Sequence, residues 1–340
     1  MTTRPPLPHR GRAWLLGVVV PVAITAAAWA VVVALLPRLP DPVAVHWGLT
    51  GVDRTGTVGE LVTTSAVISG ISLVVMGALA VLSGRQALTR RMVLGLAVGL
   101  ATLFAGVSLS TVLTQVDLPT AEAAAPPDLP MTLALVAAVV LGGLAGAAAG
   151  SDPAQPATGG LAPGTATADL PEGQRAVWVR SVAGLGPTVT WTLAVVAVLL
   201  GVGLWLLTDT VFPVVVLAPI AVLVLTMTTW QVQVDARGLT ARGTLGWPRQ
   251  HVPAGEVERA DVTTVRPFAE FGGWGLRTTV SGTVGVVVRT GEAIAVERSG
   301  GRRFVVTVDD AATGAALLNT YAQRARVTAR HADDRGVTHD

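Results

Sequence analysis

The sequence contains no cysteine and no lysine. Without cysteine, disulfides, thiolate metal sites and cysteine nucleophiles are all excluded. Every fixed positive charge is therefore an arginine, and 24 of these nearly balance 22 acidic residues, which leaves a net charge of +2. Nucleic-acid binding is not indicated, because it requires a clustered basic surface.

Charge of either sign is scarce. Charged residues make up 14% of the chain, whereas hydrophobic residues make up 51% and the mean hydropathy is +0.59. Soluble globular domains average about 25% charged residues, so much of this chain must face something other than water. A composition rich in Ala, Val, Gly and Arg without Lys is typical of a GC-rich bacterial genome, and we expect a bacterial plasma-membrane protein.

Six apolar segments are long enough to cross a bilayer, which takes roughly 20 residues. None contains Asp, Glu, Arg or His, and they occupy residues 14–36, 61–82, 92–113, 131–149, 189–207 and 211–230. Buried helices of a soluble protein are a poor alternative, because six uncharged stretches of this length are unusual in one soluble fold. The sequence predicts a polytopic α-helical membrane protein with about six spanning helices.

The arginines predict the orientation of these spans. The loops after the first, third and fifth spans hold only Arg38 and Arg54 of the 24 arginines. By the positive-inside rule these loops face outward, and both termini are cytoplasmic. Residues 1–13 are then a cytoplasmic tail, residues 14–149 a four-helix membrane region, and residues 188–230 a two-helix hairpin. A re-entrant pair is the alternative for that hairpin, because only residues 208–210 join its helices.

Glycines recur at helical spacing inside two spans. They are Gly95 and Gly99 in one, and Gly142, Gly146 and Gly150 along another. Such stripes let helix backbones approach closely in lipid, so we expect close packing there; a merely glycine-rich composition is the alternative. The spans hold no ionisable group, whereas proton relays and ion-coupled transporters usually carry one. Recognition or chemistry is therefore expected in the loops or the C-terminal region.

Residues 150–187 form a linker rich in Pro, Gly and Ala, which predicts flexibility. Within it, the partly amphipathic residues 170–182 favour a short interfacial helix. From residue 231 the apolar period changes to that of strands, with Gly-containing turns. Residues 231–325 are predicted to form a small cytoplasmic β-rich domain closed by one helix over residues 310–325. Residues 326–340 are predicted to be a disordered tail.

This β-rich region resembles the pleckstrin-homology-like (PH-like) domains of bacterial membrane proteins. The resemblance covers residues 229–321. It depends on the segments GLTARGTLGWPRQHVPAGEVERADV, FGGWG and FVVTVDDAATGAALL. It implies about seven strands closed by one C-terminal helix.

The outer loop at residues 36–54, LPRLPDPVAVHWGLTGVDR, is the most distinctive segment. It resembles the signature of the membrane family called domain of unknown function 1648, which is related to the Sdp-type immunity proteins. The family's Leu-Pro, His-aromatic, Gly and Asp positions are matched, but Gly48 stands where the family usually has Asn, and a later Lys is missing. The recognition candidates taken from this loop are Pro40, Asp41, His46, Trp47, Gly51 and Asp53.

Three roles remain open for the loop. The prolines favour a rigid, extended exit from the membrane, Gly51 and Asp53 favour a tight turn, and Trp47 suits the headgroup level. The loop then either braces the fold, or recognises an external peptide or protein, or binds a metal through Asp41, His46 and Asp53. A zinc site normally needs three or four ligands, so we predict no metal.

No catalytic or phosphate-binding motif appears elsewhere, and no cofactor is expected. The leading hypothesis is a non-enzymatic membrane protein of the immunity or envelope-signalling kind. Its outer loop recognises an extracytoplasmic peptide or protein, and its cytoplasmic domain contacts a protein partner or the bilayer. A small transporter or permease subunit is the alternative, which the uncharged spans disfavour.

Overall fold

The computed structural model describes residues 9–48, 51–84, 86–279 and 281–336. The chain folds as two compact units. The first comprises Met1–Asp152 with Val198–Ala218, and the second comprises Pro153–Ala197 with Pro219–Asp340.

Apolar helices lie at all six predicted segments. In chain order they are α1 (Arg10–Arg38), α2 (Val58–Leu82), α3 (Ala87–Leu113), α4 (Asp128–Ala148), α5 (Pro187–Thr208) and α6 (Phe212–Thr228). Among the described residues, the first five are long and apolar enough to cross a membrane, whereas α6 has 17 residues. Several membrane-spanning helices are thus confirmed, and a count of six complete spans stays a prediction.

The helices of the first unit carry their large apolar side chains on the outside. Val74 and Leu82 of α2 and Leu144 of α4 are among many that are exposed. The side chains buried along α3 and α4 are instead mostly small, such as Ala97 and Ala138. Lipid tails are as apolar as leucine, so this arrangement is the one expected of helices packed within a bilayer.

The glycine stripes join α3 to α4, as predicted. A Cβ atom on Gly142 would lie 2.8 Å from the carbonyl oxygen of Gly95, and one on Gly146 would lie 3.1 Å from that of Arg91. A Cβ atom on Gly99 would lie 3.2 Å from the carbonyl oxygen of Ala138 in α4. By contrast, a Cβ atom on Gly143, the residue after Gly142, would meet nothing within 4 Å. Only the absence of side chains allows these two backbones to approach so closely.

Arg90 joins helix ends in the first unit. It lies in the first turn of α3 and is buried. Its guanidinium donates to the carbonyl oxygens of Gly84 (2.8 Å), Ala149 (2.8 Å) and Gly150 (3.1 Å) and forms an ion pair with Asp152 at 3.2 Å. The carbonyls at a helix C-terminus lack intrahelical partners, so this arginine satisfies groups at the end of α4.

The second unit contains two β-sheets. Strands β1 (Val43–Gly48) and β2 (Gly51–Gly56) belong to the first unit, and the strands of the second unit are β3 (Trp178–Ala183), β4 (Thr229–Asp235), β5 (Gly238–Gly243), β6 (Arg249–Pro253), β7 (Val257–Val265), β8 (Gly275–Thr278), β9 (Val284–Val287), β10 (Gly291–Arg298) and β11 (Arg302–Thr307). The first sheet of the second unit has the order β3-β4-β5-β6, and its second sheet has the order β7-β10-β11-β9-β8. A short helix α7 (Pro267–Phe271) precedes β8, and a long helix α8 (Ala311–Gly336) follows β11. Trp230, Phe304 and Leu318 are among its largest fully buried side chains.

Strand β3 corrects the sequence prediction at residues 170–182, where a short helix was expected. It pairs antiparallel with β4, from Trp178 opposite Val234 to Ala183 opposite Thr229. The β domain therefore begins before α5, and both α5 and α6 are inserted between two paired strands. Strand β4 itself begins at Thr229, two residues before the predicted domain boundary at residue 231.

The linker makes specific contacts with the β domain instead of remaining free. Asn319 of α8 donates to the carbonyl oxygen of Ala166 (2.9 Å), and the hydroxyl of Tyr321 accepts from the backbone N–H of Ala176 (2.8 Å). Helix α8 itself continues to Gly336, through residues assigned to the disordered tail. Residues 337–340 of the predicted tail lie outside the described residues.

A buried ion-pair cluster lies in the second unit. The carboxylate of Glu256 accepts from Arg302 at 3.0 Å and also from Arg298, and the backbone N–H of Gln155 donates to it at 3.3 Å. Burial raises the pKa of Glu256, but the hydrogen bond and charge of Arg298 and the charge of Arg302 outweigh it, and the pKa lies below its usual value. The cluster thus holds a linker residue against the β domain.

Candidate functional site

The distinctive loop after α1 forms a β-hairpin. Strand β1 (Val43–Gly48) pairs antiparallel with β2 (Gly51–Gly56), with Gly48 opposite Gly51. Gly51 has a φ of +120°, which favours glycine because a Cβ atom would clash there. The turn residues Leu49 and Thr50 lie outside the described residues. The predicted tight turn therefore lies outside the described residues, and only the positive φ of Gly51 at its end is seen.

Gln115 fixes the inner edge of this hairpin. It lies just after α3 and is fully buried. Its side-chain oxygen accepts from the backbone N–H of Ala44 (2.6 Å), and its amide nitrogen donates to the carbonyl oxygens of Ala44 (2.9 Å) and Thr111 (2.8 Å). The Gln115 side chain therefore satisfies the backbone N–H and carbonyl of Ala44, as a neighbouring strand would, and it fixes the hairpin to the end of α3.

Trp47 packs on the inner face. It lies against a buried cluster of Ala44, Ala121 and Ala124, and its indole N–H donates to the carbonyl oxygen of Ala124 at 3.2 Å. Val52, opposite Trp47 in the ladder, packs on the same cluster. Of the roles left open by the sequence, bracing is the one that the contacts of Trp47 show.

His46 and Asp53 lie on the exposed side of the hairpin. The Nδ1 atom of His46 is 2.6 Å from Oδ1 of Asp53, and the two side chains are 65% and 50% exposed. Such a pair presents the free edge of an imidazole and a second carboxylate oxygen to an incoming ligand. Each side chain is a hydrogen-bond partner of the other across the hairpin, and both remain exposed.

The other predicted residues are not gathered at this pair. Pro40 is buried, whereas Asp41 is exposed. Within the described part of the chain, no group of three or more His, Asp or Glu side chains is arranged to hold a metal ion. Asp41, His46 and Asp53, the three residues considered above as an alternative metal site, are not such a group.

Two further ion pairs flank the hairpin. Arg38 pairs with Asp117, with its Nε atom 3.0 Å from Oδ1, and Arg54 lies 3.3 Å from Glu60. The hydrogen bond from Arg38 lowers the pKa of Asp117. Glu60 also lies in the first turn of α2, whose N-terminus is capped by the Thr57 hydroxyl at 3.0 Å.

Sequence reasoning missed Gln115, Asp117 and Glu60. Gln115 and Asp117 lie more than 70 residues from their partners Ala44 and Arg38, so no local pattern reveals the pairing. The available signal was the position of Gln115, a polar amide placed directly after an uncharged span. Glu60 was visible as the fourth residue of a Thr-x-x-Glu capping sequence at Thr57.

The chain was compared with protein families, curated proteins and solved structures. The family model described as Domain of unknown function (DUF1648) matches residues 23–68. The match spans the second half of α1, the whole hairpin and the beginning of α2, and it confirms the predicted resemblance over these residues. The comparisons with curated proteins and with solved structures gave no significant match.

Proposed function

We propose that this chain is a non-enzymatic membrane protein of the immunity or envelope-signalling kind, whose β1–β2 hairpin binds an extracytoplasmic peptide or protein. The observation that carries the proposal is the exposed His46–Asp53 pair on a hairpin whose inner edge is held by Gln115. The DUF1648 match over the same segment supports it.

The division of labour across the hairpin supports recognition on the outer face. On the inner face, Ala44 and Trp47 pack in a buried apolar cluster, and Gln115 hydrogen-bonds to the backbone of Ala44. The outer pair hydrogen-bonds across the two strands but remains at least half exposed, so both side chains are open to a ligand. A hairpin that is already ordered loses little conformational freedom on binding, and this lowers the entropic cost of capturing a partner.

The contacts of the first unit support the proposed orientation. His9 and Arg12, at the start of α1, hydrogen-bond to Ser151 (3.0 Å) and Ala148 (3.1 Å), at the end of α4. The hairpin at the other end of α1 contacts Gln115, at the end of α3. If α1 to α4 each cross the membrane in turn, the start of α1 and the end of α4 lie on one side, and the ends of α1 and α3 lie on the other, as both contacts require. With the arginine bias, we place the hairpin outside a bacterial plasma membrane and both termini in the cytoplasm.

The strand order supports a PH-like assignment for the β domain. Without the β8–β9 hairpin and α7, the remainder is a four-stranded sheet (β3-β4-β5-β6), a three-stranded sheet (β7-β10-β11) and a C-terminal helix. Seven strands closed by one helix is the arrangement that the resemblance implies. We propose that this domain contacts the bilayer or a cytoplasmic protein.

The recognition proposal is tested with the double variant His46→Ala/Asp53→Ala and the matched control Thr55→Ala, which changes another exposed residue of β2. In a strain that lacks the gene, the wild-type chain and the control should restore growth in spent medium of the parent strain. The double variant should not, at equal membrane abundance measured by quantitative blotting. Full restoration by the double variant would contradict the proposal.

A photo-crosslinking amino acid provides a direct readout. Placed at Thr55, it should capture an extracytoplasmic polypeptide in intact cells, and this product should disappear in the His46→Ala/Asp53→Ala background. The same amino acid at exposed Ala123, on the neighbouring loop, is the control. Equal capture with and without the pair would show that the pair does not take part in recognition.

A further inference from the structure

Exposed apolar side chains of the β domain gather near its junctions with α5 and α6. Leu245 and Trp247, in the turn between β5 and β6, are 61% and 64% exposed, and Phe268 and Trp274, around α7, are 63% and 58% exposed. We call these four residues the aromatic rim. The aromatic rings of the last two pack edge to face, with centroids 4.6 Å apart.

The turn that carries Leu245 and Trp247 lies against the end of α6. Gly243 pairs with Trp230 at the start of β4, and a Cβ atom on it would lie 2.5 Å from the carbonyl oxygen of Thr226 in α6. The hydroxyl of Thr244 donates to the carbonyl oxygen of Thr229 at 3.3 Å. This turn therefore lies beside the C-terminal end of α6, where the chain passes into β4.

The second part of the rim lies near the start of α5. A Cβ atom on Gly184, between β3 and α5, would lie 2.3 Å from the carbonyl oxygen of Val288, directly after β9. In the adjacent strand β8, Gly275 pairs with Val287, and Trp274 immediately precedes it. Trp274, and Phe268 packed on it, are thus held at the end of the sheet from which α5 departs.

The opposite ends of the same strands are polar. The turn between β4 and β5 exposes Arg237, and the turn between β8 and β9 exposes Ser281. Among the described residues, Trp247, Phe268 and Trp274 are the only aromatic side chains of the β domain that are largely exposed. The exposed aromatic side chains are therefore confined to the end from which α5 and α6 depart, although single valines such as Val177 and Val262 are exposed elsewhere.

We propose that the aromatic rim inserts into the headgroup–acyl boundary of the leaflet from which α5 departs. Tryptophan and other aromatic side chains favour that boundary, because one part of the ring is apolar and the other polar. Exposed Arg249 follows Trp247 in the sequence, and exposed Arg266 precedes Phe268. Guanidinium groups are attracted to anionic headgroups. The rim then fixes the β domain against the bilayer at points additional to α5 and α6. This inference does not depend on recognition by the outer hairpin.

The full-length chain is suited to a site-specific test, because it has no cysteine. A single Cys at Thr244 or Ala269 places an environment-sensitive fluorophore beside an intact tip, and Ser281→Cys and Arg237→Cys are controls at the polar ends. The protein is reconstituted into liposomes with or without nitroxide-labelled lipids. We expect a blue-shifted emission and quenching by the lipid nitroxide at residues 244 and 269, and neither effect at the controls.

Proximity alone is separated from insertion by a second variant. In the Thr244→Cys protein, Leu245→Ser/Trp247→Ser should abolish the blue shift and most of the quenching. Loss of both signals supports insertion by these side chains, whereas unchanged signals show that the label is merely close to the bilayer and overturn the proposal. Equal quenching of residues 244, 269 and 281 by aqueous iodide also overturns it, and this is the outcome expected if the rim docks a protein instead.

Discussion

Replacing Gln115 should release the hairpin from the membrane helices without unfolding them. The variant Gln115→Met keeps the length of the side chain and removes its three hydrogen bonds, two of which satisfy the buried backbone N–H and carbonyl of Ala44. A buried polar group left without a partner costs about 1–3 kcal/mol. The docked hairpin should therefore lose about 2–6 kcal/mol relative to an open one.

Hydrogen–deuterium exchange measures this opening directly. Because about 1.4 kcal/mol corresponds to a tenfold change in an equilibrium, the lower bound predicts roughly thirtyfold faster exchange in peptides covering Val43–Gly48. Peptides from α3 and α4 should exchange as in the wild type, since the glycine contacts between these helices are unchanged. The proposed recognition of a partner should weaken as well, because the hairpin is then no longer preorganised.

The variant Gln115→Glu provides a sharper control. An ionised carboxylate still accepts from the N–H of Ala44 but cannot donate to the carbonyls of Ala44 and Thr111, whereas a protonated carboxyl has one donor. Burial raises the pKa of such a carboxyl. Protection of the hairpin in this variant should therefore increase as the pH falls. Wild-type protection in Gln115→Met, or no pH dependence in Gln115→Glu, would refute the assigned role of this side chain.

Three further predictions concern stability. In denaturant unfolding, the free energy of unfolding of Gly142→Ala should be about 1–3 kcal/mol lower than that of Gly143→Ala, because only the former overpacks the contact between α3 and α4. Equal free energies of unfolding would contradict this. Arg90→Met should lose about 3–5 kcal/mol in the same unfolding assay, since it leaves Asp152 and several carbonyls without their partner. Wild-type stability in that variant would argue against it. Glu256 has a lowered pKa when folded, so its contribution is present above its unfolded pKa of about 4.3 and is lost as the pH falls through the folded value. Acid unfolding should therefore be less steep in Glu256→Gln, and an unchanged pH profile would exclude this cause.

The membrane helices and the position of the hairpin were predictable because their signals are local. An apolar run of about 20 residues predicts a membrane-spanning helix without reference to any other part of the chain. The hairpin signature lies within residues 36–54, and Gly51 marks the turn by itself. The glycine stripe of α4 was also visible, since residues four apart share one helix face.

What escaped prediction depends on pairing between distant residues. The segment Trp178–Ala183 has no strict alternation, and its partner β4 begins only after two helices. Its strand conformation therefore comes from tertiary pairing, which overrides weak local preference. The contacts of the linker were hidden for the same reason, because its composition gives no sign that Asn319 and Tyr321 of α8 hydrogen-bond to its backbone.

The insertion of α5 and α6 between β3 and β4 makes a final prediction about fragments. A fragment of residues 231–325 lacks β3, in which Trp178 and Val182 are buried, and burying one such side chain contributes about 1.5–3 kcal/mol. Ala183 and Thr229 face each other in the ladder, so replacing residues 184–228 by Asn-Gly closes the two strands with a turn suited to hairpins.

The fused fragment, residues 153–336 with that replacement, should give a dispersed amide NMR spectrum in water. Residues 231–325 alone should give a collapsed one, because the sheet then loses its edge strand and the exposed β4 favours self-association. Equivalent dispersed spectra from both fragments would mean that β3 is dispensable. In that case the pairing of β3 with β4 would position the start of α5 without being needed for the β domain to fold.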